Sequence, residues 1–195
     1  MTTKSWMRAA ALLLAATPFT GAAAQAVDPA MIEAERAAIA KLSWMDGTWR
    51  GPAVTQSPGG EHKVTQTERI GNFLGGTIKV IEGKGFNPDG SVGFNAFAVI
   101  SYDPATRAYT FRSYAQGRAG TFSIVPQGNE GVRGYVWEIP AGPATIRYTA
   151  TLENGKWHEV GDRVVPGQPP QRFFDMQLTR VGDTDWPAAG GMTGK

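Results

Sequence analysis

Ten short β-type segments, separated by turn signals, make up this chain from residue 48 onward. They are rich in Val, Ile, Thr, Tyr, Phe and Trp. Repeated turns at intervals of about 8–12 residues predict a sandwich or a barrel. No connection is long enough for a crossover helix, so neighbouring strands should pair antiparallel. The predicted strands lie at about 48–56, 62–70, 75–83, 92–101, 107–115, 119–125, 132–139, 143–152, 156–165 and 171–180.

The residues between these segments have the chemistry of tight turns. Asn87-Pro88-Asp89-Gly90 combines Pro and Gly at turn positions, and Asn154-Gly155 is the dipeptide of a type I′ hairpin. An even number of hairpin-linked strands can close on itself, which removes exposed strand edges. We therefore expect an all-β fold, an antiparallel up-and-down barrel of about ten strands. A sandwich is the alternative, because strand order is not visible in one sequence.

One helix is predicted before the strands, over Pro29–Leu42. Asp28 is suited to the N-cap and Pro29 to the first helical position. Apolar residues recur at spacings near 3.6 and form a single face, which should rest on the barrel. These residues are Met31, Ile32, Ala38, Ile39 and Leu42.

The N-terminus has the pattern of a cleavable signal peptide. Lys4 and Arg8 precede a short apolar run, Ala9 to Ala16, and Ala24-Gln25-Ala26 is a small-x-small cleavage site. We expect residues 1–26 to be removed on export, which places the protein in the periplasm or outside the cell. No Cys follows the apolar run, so a lipid anchor is not predicted. The barrel domain should then span 27–181, with a flexible tail at 182–195.

Charge and cysteine content exclude some classes of function. The chain has 19 Lys and Arg against 17 Asp and Glu, and removal of Lys4 and Arg8 leaves 17 against 17. A neutral chain without a basic stripe does not predict nucleic-acid binding. The absence of Cys excludes disulfides and thiolate metal sites. The oligomeric state stays open.

Two motifs at opposite ends of the predicted barrel resemble the calycin superfamily, which includes lipocalins, fatty-acid-binding proteins and haem-binding nitrobindins. The first is Leu42-x-Trp44-Met45-x-Gly47-x-Trp49-x-Gly51, and the second is Leu178-Thr179-Arg180. The resemblance implies a barrel in which Arg180 packs on the Trp49 indole and donates to carbonyl groups at the closed end.

The chain is also similar to a bacterial calycin-like domain family of unknown function. The shared pieces extend over about 42–181, and this resemblance implies a fold without implying an activity. Besides the Trp44–Gly51 motif they are Leu74-Gly75-Gly76, Tyr102-Asp103-Pro104 with Tyr109, and Phe174-x-Met176-x-Leu178-x-Arg180.

Catalytic and metal sites are not predicted. No Gly-x-Ser-x-Gly nucleophile motif occurs, and His62 and His158 are the only histidines. Resemblance to nitrobindins would make His158 an axial haem ligand. The alternative is that His158 faces solvent beside Lys156, with Trp157 pointing inward. No cofactor is therefore assigned, and haem stays an alternative.

A ligand cavity is the functional class that the sequence favours, because a barrel of this size leaves room for one small molecule. Polar residues within the strands are candidate ligand contacts, since a buried charge must be paired or must meet a ligand. The charged candidates are Glu68, Arg112, Arg147 and Asp175. Fatty-acid-binding proteins hold a carboxylate through buried Arg and Tyr, and Arg112 with Tyr148 would match that arrangement.

Apolar and aromatic residues are expected to line the same interior. The alternative is that the charges face water while the aromatic residues fill a solid core. A filled barrel would favour a protein-interaction module, whereas an enzyme would need convergent titratable groups. Our prediction is reversible binding of a small apolar or amphipathic molecule. The candidate lining residues are Phe97, Val99, Tyr109, Phe111, Tyr135, Trp137, Tyr148, Trp157 and Phe174.

Overall fold

A computed structural model describes residues 28–128 and 133–186. The predicted signal peptide and residues 187–195 of the predicted tail lie outside this range. The described chain forms one helix, α1 (Pro29–Ala40), and ten strands. The strands are β1 (Gly47–Ser57), β2 (Gly60–Phe73), β3 (Ile78–Phe86), β4 (Val92–Asp103), β5 (Ala108–Ala115), β6 (Arg118–Gln127), β7 (Gly134–Ala141), β8 (Ala144–Glu153), β9 (Lys156–Val164) and β10 (Gln171–Gly182).

The strands form a closed antiparallel barrel, which confirms the predicted fold and excludes the sandwich. Each strand pairs with its neighbours in sequence, and β1 pairs with β10 to complete the ring. At the Asn154–Gly155 turn both residues have positive φ, 51° and 75°, as a type I′ hairpin requires. The sheet order therefore follows from the succession of short turns.

Helix α1 begins where the sequence predicts and closes one end of the barrel. Asp28 Oδ1 accepts a hydrogen bond from the Ala30 amide at 2.9 Å, and Pro29 is the first helical residue. The Tyr109 hydroxyl donates to the Ala38 carbonyl at 2.9 Å, which ties the helix to β5. The helix ends at Ala40, two residues before the predicted end, and Ser43–Met45 continues as a 3-10 turn. Within 28–128 and 133–186 no helix is long and apolar enough to span a membrane.

The barrel is solidly packed at this end. Six aliphatic and Met side chains from residues 39–45 and three strands are fully buried there, and burying each stabilises the fold by roughly 1.5–3 kcal/mol. Trp49 and Trp157 meet edge to face beside them, with ring centroids 5.7 Å apart. The aliphatic and Met residues are Ile39, Leu42, Met45, Ile70, Ile100 and Leu178.

The Gly-x-Trp-x-Gly motif of β1 is explained by close backbone approach. A Cβ atom at Gly51 would lie 1.9 Å from the Gln177 carbonyl oxygen of β10, so no larger residue fits there. Gly47 has a φ of 123°, a conformation that residues with a Cβ atom rarely adopt. The two glycines let the chain leave the 3-10 turn and pair tightly with β10.

The first residues after β10 lie against the outside of β2. The Trp186 ring packs edge to face on Phe73 at 5.6 Å, and the Arg69 guanidinium lies 4.5 Å over Trp186. Arg69 also pairs with Asp185. Part of the segment predicted as a flexible tail is therefore placed against the barrel wall.

Candidate functional site

The half of the barrel away from α1 is less completely filled than the closed end. Side chains that point inward from β2, β5, β7, β8 and β10 are only half-buried, although they face the interior of a closed barrel. Their partial exposure means that solvent reaches this part of the interior. These residues are Glu68, Phe111, Trp137, Tyr148 and Phe174.

Glu68 is the first of two carboxyl groups in this interior. It lies opposite Trp49 on β1 and opposite Gly83 on β3. Gln66 Nε2 donates to Glu68 Oε1 at 2.8 Å. A Cβ atom at Gly83 would stand 2.8 and 2.9 Å from the two carboxyl oxygens, so the missing side chain gives Glu68 its space.

Glu159 is the second carboxyl group and is 8% exposed. It points inward from β9, on the same face as Trp157. The Tyr135 hydroxyl donates to Glu159 Oε2 at 2.8 Å, and Trp137 Nε1 donates to Oε1 at 3.5 Å. One phenol and one indole of β7 thus both donate to the Glu159 carboxyl group.

Burial changes the titration of this pair. Desolvation raises the pKa of Glu68 to about 8, with repulsion from Glu159 as a further cause. Desolvation also raises the pKa of Glu159, while the hydrogen bond from Tyr135 lowers it. The pKa of Tyr135 is raised by burial and by the neighbouring Glu159 charge. Glu68 therefore keeps, at neutral pH, a proton that an exposed carboxyl group would have lost.

An aromatic wall adjoins the carboxyl groups. Trp137 and Tyr148 stack in parallel, with centroids 4.4 Å apart and an interplanar angle of 10°. Phe111 and Phe122 pack against Trp137 at 5.0 and 5.2 Å, and Phe174 meets Tyr148 at 5.9 Å. These rings give the interior an aromatic, largely apolar side.

Small residues form the wall on the other side. Ala98, Ser113 and Gly120 lie opposite one another on β4, β5 and β6. At the open rim nearby, a groove of about 420 Å³ runs beside the β5–β6 turn and is lined by 95–97 and 114–119. It includes the inward-facing Ala115 and the outward-facing Tyr114, so the groove crosses the rim.

Several residues predicted to face the interior lie on the outer wall. Arg112 is exposed with its guanidinium 5.9 Å from the Tyr114 ring, and Arg147 pairs with Glu138 at 2.6 Å. Asp175 lies outside as well, beside His158. Successive side chains of a strand point to opposite faces. An assignment that is off by one residue therefore exchanges the inward and outward side chains of the whole strand. Arg112 and Tyr148 therefore do not form a shared carboxylate site.

The aromatic candidates divide between the two faces in the same way. Phe97 and Val99 point outward from β4, and Phe97 is 42% exposed. The remaining predicted lining residues point inward. These are Tyr109, Phe111, Tyr135, Trp137, Tyr148, Trp157 and Phe174.

His158 lies on the outer face of β9, with Trp157 inward. Its Nε2 is 3.2 Å from Asp175 Oδ2. The imidazole cannot reach a group bound inside the barrel from that position, so the geometry does not favour a haem there. Among the described residues no group of three or more His, Cys, Asp or Glu side chains is arranged to hold a metal ion.

Trp49 and Arg180 are directly opposed where β1 meets β10. Arg180 Nε donates to the Asp46 carbonyl at 3.2 Å, and the guanidinium also pairs with Asp183. The Trp49 indole donates to the Met45 carbonyl at 2.8 Å. Both side chains thus hold the 3-10 turn at the closed end.

Sequence reasoning missed Glu159, Gln66 and the buried Lys79. Glu159 follows Trp157 by two residues, so the alternation that turns Trp157 inward also predicts an inward Glu159. Gln66 precedes Glu68 by two residues and shares its face for the same reason. No local pattern predicts that Lys79 is buried, because its partner Asp46 is 33 residues away in sequence.

Comparison with known proteins supports the fold alone. No protein-family model matches the chain, and no curated protein matches it. The crystal structure of Rv2717c from M. tuberculosis is similar, with a TM-score of 0.57 over 74% of this chain and 97% of that chain. The two sequences are 12% identical. What this chain shares with Rv2717c is therefore its architecture.

Proposed function

We propose that this protein binds a small amphipathic molecule reversibly inside the half of the barrel away from α1. The observation that carries the proposal is that inward-facing aromatic side chains of a closed barrel keep accessible surface around two inward-facing carboxyl groups, the half-buried Glu68 and the buried Glu159. A pocket of aromatic residues with a few convergent polar groups is the usual form of a small-molecule site.

The core that stabilises the fold and the proposed binding site lie in different parts of the barrel. The fully buried cluster of Ile39, Leu42 and Met45 closes one end, so the open half does not need a filled core. In that half, the carboxyl groups of Glu68 and Glu159 lie next to the aromatic wall. The interior therefore has one polar and one apolar region. An amphipathic ligand matches both regions at once.

Fluorescence titration with the neutral probe N-phenyl-1-naphthylamine tests this proposal. Ser113→Trp should fill the interior beside Ala98 and abolish binding of the probe. Ser123→Trp is the matched control, because Ser123 lies on the outer face of β6 and is exposed. Saturable binding that is lost only in Ser113→Trp supports an interior site. Absence of binding, or equal binding by both variants, would contradict it.

The outer wall favours a second candidate, an interaction surface. Phe97 and Tyr114 lie opposite each other on β4 and β5 and are 42% and 43% exposed. Exposed aromatic pairs of this kind are found at protein contacts. An interaction module is expected to have a filled barrel. The half-buried interior side chains therefore favour small-molecule binding over an interaction module.

We also propose that the protein is exported and calycin-like. Cleavage after Ala26 would leave Asp28 free to cap α1, so the helix does not depend on the removed segment. A helix feeding a Gly-x-Trp strand and a late Arg that binds the 3-10 turn support the calycin assignment.

A further inference from the structure

We propose that the polar group of the ligand is a monovalent organic cation, such as a primary ammonium, held between Glu68 and Glu159 against the Trp137–Tyr148 stack. This inference rests on the proposed binding function and specifies its ligand class. Hydrogen bonding, the aromatic rings and the charge of the site each support it.

The carboxyl oxygens of Glu68 and Glu159 can accept more hydrogen bonds than the neighbouring donors provide. The Tyr135 hydroxyl and the Trp137 indole already donate to Glu159, and Gln66 Nε2 already donates to Glu68. Glu68 Oε2 accepts no hydrogen bond from a described residue. The free capacity of the site is therefore mainly carboxyl oxygen, which a ligand with N–H groups would match.

One buried donor is left near these oxygens. Trp157 is 2% exposed, and its indole nitrogen has no hydrogen-bond partner. It nevertheless lies near enough to Glu159 to lower the pKa of that carboxyl group. A buried polar atom without a partner is costly, and a ligand that moves the Glu159 carboxylate by a small distance would satisfy it.

Aromatic geometry adds a second reason for a cation. A positive group is attracted to the face of an indole or phenol ring within about 6 Å, most strongly when desolvated. Trp137 and Tyr148 stand beside Glu159. The Trp137 indole donates to that carboxyl group, and the pKa of Tyr148 is raised by burial and further by the Glu159 charge. An ammonium at the carboxyl groups would therefore lie beside these two rings as well as the carboxyl oxygens.

Neither carboxyl group forms a salt bridge with a described Lys, Arg or His. Lys79, which is buried at the closed end, is paired with Asp46 and Asn72 instead. An unpaired carboxylate in a low-dielectric interior is strongly disfavoured. A bound cation would supply the missing charge.

Binding of a cation should release a proton. The titratable groups that face the pair are Tyr135 from β7 and Tyr148 from β8, with Glu82 on the outer face of β3. The facing residues of β1 and β10, Trp49 and Met176, carry no charge. Because the pKa of Glu68 is raised to about 8, cation affinity should increase from pH 6 to about pH 8.

Calorimetry with three ligands of equal chain length tests the inference on the intact protein. The ligands are octylammonium, 1-octanol and octanoate, and each is titrated in two buffers of different ionisation enthalpy. We expect octylammonium to bind about tenfold or more tightly than 1-octanol at pH 8, with proton release. Glu68→Gln and Glu159→Gln should each remove most of this preference. Glu138→Gln, a carboxyl group on the outer wall, is the matched control and should keep it.

The outcomes separate this inference from the function on which it rests. Equal binding of octylammonium and 1-octanol, or tighter binding of octanoate, would overturn the cation while leaving an interior site in place. A preference that both Gln variants retain would do the same, provided that melting curves show them folded. If none of the three ligands binds and N-phenyl-1-naphthylamine also fails, the proposed function fails with it.

Discussion

The Tyr135 hydroxyl donates to Glu159 over 2.8 Å, and both side chains are at least nine-tenths buried inside the barrel. This hydrogen bond is the shortest one that Glu159 receives. Tyr135→Phe removes it and leaves a buried carboxyl oxygen without that donor. We expect a loss of about 1–3 kcal/mol in the free energy of unfolding, measured by urea denaturation.

Tyr114→Phe is the control for this change, since Tyr114 is 43% exposed on the outer wall. It should alter the free energy of unfolding by less than about 0.5 kcal/mol. Equal effects of the two variants would mean that the interior hydrogen bond does not stabilise the fold.

Stability should fall as the pH rises from about 5 to 8. Burial raises the pKa of Glu68 to about 8, so the folded state holds a proton that the unfolded chain has lost above its ordinary pKa of 4.5. The stabilisation is complete below the unfolded pKa and is lost as the pH passes the folded pKa. The slope should reach about 1.4 kcal/mol per pH unit for one such carboxyl group.

Urea denaturation at a series of pH values measures this dependence. Glu68→Gln cannot ionise, so its curve should be flatter by the contribution of one group. A wild-type profile that rises over this pH range would show that the carboxyl groups are ionised and stabilised in the folded state.

Gly83→Ala should disturb the site without opening the barrel. The added methyl group would come within 3 Å of both Glu68 carboxyl oxygens and displace that side chain. We expect weaker binding of octylammonium with little change in the interior binding of N-phenyl-1-naphthylamine. Gly59→Ala is the control, because its nearest neighbour would be Ser57 Oγ at 3.6 Å, and it should change neither affinity.

The buried Lys79 pairs with Asp46 and receives further support from Asn72, whose Oδ1 accepts at 2.7 Å. Burial lowers the pKa of Lys79, and Asp46 opposes that change. Asp46→Ala leaves the buried ammonium without its counter-charge and should cost about 3–5 kcal/mol in the free energy of unfolding.

Lys79→Met should cost less than Asp46→Ala, because Asp46 is 28% exposed and can be hydrated after the ammonium is gone. Glu82→Ala breaks the more exposed pair with Lys84 and should cost at most about 1 kcal/mol. Thermal or urea denaturation gives the order, and a larger loss for Lys79→Met than for Asp46→Ala would be inconsistent with this account.

Export can be tested by intact mass. Protein recovered from the periplasm of an expressing bacterium should begin at Val27, because cleavage is predicted after Ala26. Ala26→Asp should block processing and leave the larger precursor. A wild-type protein recovered with its first 26 residues intact would contradict the signal-peptide prediction.

The number of strands, their closure and the helix start could be predicted because they depend on local residues. Asp28 and Pro29 act within one turn, and Asn154-Gly155 determines its own hairpin. The face of each strand depends on register, which is a long-range property. Arg112 was therefore assigned to the interior, although it lies outside.

The candidate site could be predicted only in part. Glu68, Trp137 and Tyr148 were expected inside and lie there, whereas the partners that define their chemistry come from distant strands. Tyr135 and Glu159 are 24 residues apart, and the register of β7, β8 and β9 brings them together across Ala150. No local pattern contains that information.

The segment 28–45, which contains α1, covers one end of the barrel. It is held there by the Tyr109 hydrogen bond and by the aliphatic contacts of Ile39 and Leu42. We expect that loss of this segment would let water approach the carboxyl groups from the closed end and would lower their raised pKa values.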